Sequence, residues 1–259
     1  MASLASSTVA PRRGPAQEII HGGEGPALVW LHGPKVSTKD DPLLQSLAAA
    51  YAVTAPVMPG QKSLEELDDL PTLYDLVLLY DSVLDDLGLE RVFLVGHSFG
   101  AMLAAELAAL APRRVRGLAL ISPLGLWNDA YPVEDLFARP YSEIDTFLWS
   151  GAAARPRADV AAVGGIEDQL ALVNALGSIA KYTWPIPERG LRGRLYRVAA
   201  PTLLLFARSD ALLPPAYAKD FASALADSQV RTLNGGHMAP YEDPAAIAEL
   251  VHGFFQELT

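Results

Sequence analysis

Val92-Phe93-Leu94-Val95-Gly96-His97-Ser98-Phe99-Gly100-Ala101-Met102-Leu103 is the stretch whose reading decides the fold. The four apolar residues at its start read as a buried strand. The run from Ala101 to Leu107 reads as a helix that follows without a loop. Gly96-His97-Ser98-Phe99-Gly100 is therefore a sharp strand-to-helix turn. A serine at such a turn is lifted out of the sheet edge, with its hydroxyl exposed and a helix N-terminus beneath it. Gly96 and Gly100 are the expected elbow residues, because side chains there would collide where strand and helix cross. The five-residue pattern alone would occur by chance in roughly one chain in ten of this length. Its flanks are what make it informative.

Working outward, short apolar runs alternate with amphipathic stretches. That pattern predicts an α/β fold, a mostly parallel sheet flanked by helices. Strands are expected at Ala27–Leu31, Ala52–Val57, Val92–Val95, Leu118–Ile121, Thr202–Phe206 and Gln229–Leu233. Helices are expected from Thr72 to Leu87, from Phe99 to Ala111 and from Pro244 to about Leu258, the last capped by Asp243. The alternation stops between Pro123 and about Val198. A structureless loop of that length does not fit a compact domain. Residues 124–197, rich in Trp, Tyr and Phe, are read as an inserted helical cap. Residues 17–123 and 198–259 are read as the core, and residues 1–16 as a disordered lead-in.

The chain has 259 residues, 51% apolar, and a formal net charge of −10. An acidic surface argues against nucleic acid or an anionic membrane as partner. Cysteine is absent, which excludes disulfides, thiolate chemistry and Cys-based zinc sites. The five histidines form no metal-ligand pair, so no metal is expected. No apolar run approaches 18 residues, and the N-terminus lacks the charged start and apolar stretch of a signal peptide. A cytoplasmic protein is expected. No cofactor is expected, and the partner is a small-molecule substrate. The sequence does not specify an oligomeric state.

A serine hydroxyl needs a neighbouring base to become a nucleophile. His237, in Asn234-Gly235-Gly236-His237-Met238 after the last strand, is the candidate. The base needs a carboxylate to hold its tautomer. Asp210, after the strand ending at Phe206, is the candidate acid, with a helix N-cap as its structural alternative and Asp129 as a weaker substitute. Ser98, Asp210 and His237 all fall at carboxyl ends of expected strands, where open α/β sheets place their ligands. His97 reads as a packing residue behind the nucleophile. Arg189, Arg192, Arg194 and Arg197 read as a solvated face.

This set resembles the α/β-hydrolase superfamily. The resemblance rests on Leu31-His32-Gly33, Gly96-His97-Ser98-Phe99-Gly100, Ser209-Asp210 and Gly236-His237 in that order. It is nearest to capped bacterial members related to the C–C bond hydrolases of aromatic degradation. It implies an α/β-hydrolase fold with a cap, and a Ser98–His237–Asp210 triad working by a hydrolytic ping-pong mechanism. It also implies an oxyanion hole made by the N–H of Phe99 and that of the residue after His32-Gly33. That residue is Pro34, which has no N–H. Either the loop shifts so that Lys35 or Val36 donates, or the Lys35 side chain supplies charge, or the oxyanion is weakly stabilised. The expected function is therefore a serine hydrolase (an esterase) of small apolar or aromatic esters or related carbonyl compounds. A lyase, isomerase or cyclase on the same scaffold is the alternative, and a non-catalytic ligand-binding protein a third.

Overall fold

The computed structural model describes residues 3–151 and 166–258. Eight strands form one sheet: β1 (Ala5–Val9), β2 (Gln17–Gly22), β3 (Ala27–Leu31), β4 (Ala52–Pro56), β5 (Val92–His97), β6 (Val115–Ile121), β7 (Thr202–Ala207) and β8 (Ser228–Leu233). Their spatial order is β1-β2-β4-β3-β5-β6-β7-β8. The six strands from β3 onward run parallel, and β1 and β2 pair antiparallel at one edge. Parallel strands covered on both faces read as continuous apolar runs. β5 fits this rule, with all six residues buried.

The sequence expectation fails at the N-terminus. The lead-in expected over residues 1–16 is not structureless where it is described, because Ala5–Val9 pair with Gln17–His21. The signal was missing because β1 is an edge strand whose first four residues are exposed. Its main-chain pairing holds it, with little apolar burial to mark it in the sequence.

Helices cover the sheet on both sides. α1 (Pro42–Leu47) and the C-terminal α8 (Pro244–Gln256) pack together on one face, in a core with Trp30, Phe93 and Phe255. α2 (Leu73–Asp86) and α3 (Phe99–Leu110) lie on the other face with α6 (Tyr217–Ala224). Thr72 caps α2 through a reciprocal box with Asp75. Between β6 and β7 the chain forms α4 (Ile144–Leu148), α5 (Ile166–Thr183) and short 3₁₀ turns. Residues 152–165 of the expected cap lie outside the described residues. A short α7 (Ala239–Glu242) follows β8 and precedes α8. A third apolar cluster joins α4 and α5 to the segment after β8, through Leu148, Leu176, Met238 and Tyr241.

Strand register places the chemistry. Leu31 lies beside Gly96, His97 beside Ile121, Ile121 beside Leu205, and Ala207 beside Leu233. The residues just past these ends converge at one edge of the sheet.

Candidate active site

Ser98 joins β5 to α3 with φ 56° and ψ −118°, a conformation that non-glycine residues avoid. Such strain costs about 1–3 kcal/mol and persists only where the surroundings enforce it. They do so here: the Ser98 N–H donates to Ile121 O at 2.8 Å, and its carbonyl accepts from Ala101 and Met102 at 3.1 Å and Leu124 at 3.2 Å. A Cβ on Gly96 would sit 2.6 Å from Ala101 Cα, and one on Gly100 would overlap the Leu31 carbonyl oxygen. Both positions must be glycine for helix and strand to cross so closely.

His237 lies in the loop after β8, fully buried. Its Nε2 is 2.7 Å from Ser98 Oγ, and its Nδ1 is 2.9 Å from Asp210 Oδ2. A carboxylate only accepts, so Nδ1 carries the proton and Nε2 turns its lone pair to the serine hydroxyl. Asp210 also fills its alternative reading: Oδ1 accepts the N–H groups of Leu212 at 3.1 Å and Leu213 at 2.8 Å. One oxygen caps the turn while the other holds the imidazole. Burial pushes the Asp210 carboxyl up. Attraction to the His237 imidazole and the hydrogen bonds from His237 and Leu213 outweigh that and hold it below the usual carboxylate range. Asp129 points elsewhere, accepting from Trp127 Nε1 at 2.8 Å in an exposed position.

The His237 loop is braced on several sides. His97 bonds to the His237 carbonyl at 2.8 Å. Glu242 accepts from Gly236 N–H at 3.0 Å and from the Ser150 N–H and hydroxyl at 2.8 Å. The Met238 N–H donates to Leu148 O at 2.9 Å. Sequence reasoning gave Glu242 no role. Its only signal was a carboxylate six residues after Gly236.

On the opposite side of Ser98 lies the His32-Gly33-Pro34-Lys35 loop. His32 donates from Nδ1 to Gly33 O at 2.8 Å and accepts the Met58 N–H at Nε2, 2.9 Å away. Burial lowers this imidazole to about pKa 4, so it stays neutral and fixes the loop. A Cβ on Gly33 would sit 2.9 Å from Ser98 Cβ. Pro34 and Ser98 both line a cavity of about 230 Å³. Among the described residues lining it, Lys35 is absent. Its ammonium lies 5.1 Å from the centre of the Tyr241 ring, and Tyr241 Oη donates to Lys35 O at 3.2 Å. The Phe99 ring stacks on Tyr182, 6.0 Å between centroids, while its N–H heads α3 beside Ser98. That N–H has no carbonyl one turn back to bond.

The rest of the cavity wall is mainly apolar: Leu124, Val133, Leu136, Leu176 and Ile179, with Trp127, Phe137 and Trp184 as its aromatics. Glu134 and Asp135 add carboxylates, Glu134 being tied to Arg139 at 2.6 Å. Of the expected solvated arginine face, Arg189, Arg192 and Arg197 are exposed and Arg194 is partly buried. Arg194 meets Glu106, and Arg192 and Arg197 bond to the carbonyls of Trp127 and Ala109. The volume falls near the lower limit of small-molecule sites, about 300–1,000 Å³. Among the described residues no cluster of His, Asp and Glu is arranged to hold a metal, and no helix is long and apolar enough to cross a membrane.

The model of the alpha/beta hydrolase family matches residues 19–250. The chain belongs to the alpha/beta hydrolase family. Among curated members it is 26% identical, over 243 residues, to a putative carbamate hydrolase of Cronobacter turicensis, covering 84% of this chain and 86% of that one. Among solved alpha/beta hydrolase structures it is similar to a 2-hydroxy-6-oxo-6-phenylhexa-2,4-dienoate hydrolase from Rhodococcus sp. strain RHA1, with a TM-score of 0.80 at 19% identity, covering 99% and 100% of the two chains. Naproxen esterase from Bacillus subtilis aligns with a TM-score of 0.75 at 20% identity, covering 98% and 92%. At such identity the structural likeness speaks to the alpha/beta hydrolase fold alone.

Proposed function

We propose that the chain is a serine hydrolase that cleaves small apolar or aromatic esters, or related carbonyl compounds, through an acyl-enzyme on Ser98. One observation carries this reading. Ser98 Oγ, His237 Nε2 and Nδ1, and Asp210 Oδ2 form an unbroken hydrogen-bonded line of 2.7 and 2.9 Å that ends in an apolar cavity.

In acylation, Ser98 Oγ attacks the carbonyl carbon as His237 takes its proton. The carbonyl electron pair moves to oxygen, beside the Phe99 N–H. Collapse of the tetrahedral species expels the leaving oxygen, which takes the proton back from His237. A water molecule, deprotonated by the same imidazole, then releases the acid from Ser98. Asp210 steadies the imidazolium formed in each half. The insertion between β6 and β7 acts as a cap that lines the acyl pocket with apolar side chains. In this reading the enzyme is cytoplasmic and needs neither cofactor, nucleic acid nor membrane.

Pro34 favours a second reading. With no N–H at that position, a tetrahedral oxyanion loses one main-chain donor, which costs about 10²–10³ in kcat where such donors have been removed. A lyase, isomerase or cyclase in which His237 moves a proton would tolerate that loss. A serine-directed phosphonate and short p-nitrophenyl esters separate the readings. Labelling at Ser98 together with ester turnover that Ser98→Ala abolishes supports hydrolysis. Labelling without turnover supports the second reading, and no labelling supports a non-catalytic binding protein.

A further inference from the structure

The helix that carries the nucleophile contains one charge. In Phe99-Gly100-Ala101-Met102-Leu103-Ala104-Ala105-Glu106-Leu107-Ala108-Ala109-Leu110, Glu106 is 4% exposed among apolar neighbours. A carboxylate so placed needs a partner. Arg194, 88 residues away, meets it with two parallel bonds: Nε to Oε2 at 2.7 Å and Nη2 to Oε1 at 2.6 Å. The same Nη2 donates to Arg189 O at 2.7 Å. Gly190 makes room, since a Cβ there would lie 2.8 Å from Arg194 Nη1.

Arg189 carries the connection onward. Its Nε donates to Tyr182 O at 2.8 Å and its Nη2 to Trp184 O at 2.6 Å. These carbonyls sit at the C-terminal end of α5, where unpaired acceptors and the helix dipole both favour a cation. The segment they belong to supplies Thr183, Trp184, Pro185 and Pro187 to the cavity that holds Ser98. Besides the Arg189 bonds, the Trp184 N–H donates to Ala180 O at 2.9 Å and Thr183 Oγ1 to Ile179 O at 2.8 Å, both anchoring its start. Trp184 is 55% exposed and Ile186 41% exposed, and the two prolines offer no N–H.

We propose that Arg189 and Arg194 are positioning residues: through Glu106 they tie this cavity wall to the helix that carries Ser98, and so set how large an acyl group the site accepts. The proposal rests on the serine-hydrolase reading for its kinetic consequence, though not for the tie itself. Neither arginine touches the cavity, so neither is offered to a substrate carboxylate. The fork of each guanidinium matters, because each makes two bonds at once that a single ammonium cannot reproduce.

Arg189 is the residue to change, because its loss leaves no buried charge behind. The ratio of kcat/KM for p-nitrophenyl phenylacetate to that for p-nitrophenyl acetate is expected to fall about tenfold in Arg189→Gln, mainly through KM, and to recover in part in Arg189→Lys. The double variant Glu106→Gln, Arg194→Gln removes both charges of the buried pair and is expected to shift the ratio the same way. Amide exchange at Thr183 and Trp184 is expected to quicken about tenfold in Arg189→Gln, whether or not any ester turns over. A ratio that stays within about twofold in Arg189→Gln overturns the size-setting role. So does a parallel fall for both esters. Unchanged exchange at those two amides overturns the tie itself. Absence of turnover and of Ser98 labelling in the unsubstituted protein overturns the hydrolase reading instead and leaves the exchange result to decide the tie.

Discussion

His97, the residue before Ser98, donates from Nε2 to the main-chain carbonyl of His237, 2.8 Å away. The elbow thereby holds the loop that carries His237. The carbonyl can only accept, so the tautomer is settled and Nδ1 is left as a buried lone pair without a partner. Burial, with the nearby charge of His237 next in weight, lowers this imidazole to about pKa 3. His32, lowered by burial to about pKa 4, shares its situation.

Acid should therefore destabilise the fold before its carboxylates titrate. Both histidines have native pKa values below their unfolded value near 6.5. Their stabilising contribution is complete above about pH 6.5 and is lost as pH falls toward 4 and then 3, because the unfolded chain binds protons that the native one refuses. Each histidine removes about 1 kcal/mol per pH unit across that window. Asp210, held low, adds its own loss only in the acid range below the usual carboxylate pKa. Urea unfolding at pH 7, 6 and 5 measures the slope. His97→Gln, whose amide still reaches the His237 carbonyl, should flatten it by roughly half. A slope insensitive to that change would remove His97 from the account.

The two elbow glycines should be intolerant in a way that an unobstructed glycine is not. Gly100→Ala drives a methyl group into the Leu31 carbonyl, and main chain cannot yield cheaply. A loss above about 3 kcal/mol is expected. Gly88, at φ +68° with nothing within 4 Å of an added Cβ, is the comparison. Gly88→Ala should cost about 1 kcal/mol, the strain of its backbone alone. Denaturant midpoints of the two variants test the difference.

Restoring an N–H at position 34 should speed ester hydrolysis. Pro34 lines the cavity beside Ser98, and the loop around it is fixed by His32. Pro34→Gly and Pro34→Ala are expected to raise kcat on p-nitrophenyl acetate by about 10-fold or more, part of the 10²–10³ that an oxyanion donor provides. Unchanged or lower kcat in both variants, with the fold intact, would mean that position 34 does not limit the oxyanion.

Asp210→Asn preserves shape while removing the charge that holds the His237 tautomer. The kcat on the same ester should drop by about 10⁴ with KM little changed. A loss of under tenfold would show that another group orients the imidazole.

Much of this was legible in the sequence, for stated reasons. β3, β5 and β7 are covered on both faces, so they appear as unbroken apolar runs such as Val92–Val95. The residues that the structure brings together at the sheet edge, Ser98, Asp210 and His237, were each marked by a glycine turn or by their place just after a strand. β1 and β2 were not legible. They pair antiparallel at an edge, and Ala5–Thr8 bury nothing that a hydropathy pattern would register. Nor was the Glu106–Arg194–Arg189 connection, because partners 88 residues apart leave no spacing to read. The one trace was a lone glutamate in a helix of alanines and leucines. The Lys35 side chain was equally unreadable, since its place over Tyr241 depends on a residue more than 200 positions away.

Acid quenching of the enzyme during turnover of p-nitrophenyl acetate, followed by peptide mass mapping, tests the central claim most directly. The account predicts one acetyl group on the peptide containing Ser98, formed in a burst of p-nitrophenol equal to the enzyme present. Turnover without that adduct, or turnover that survives Ser98→Ala, would contradict it.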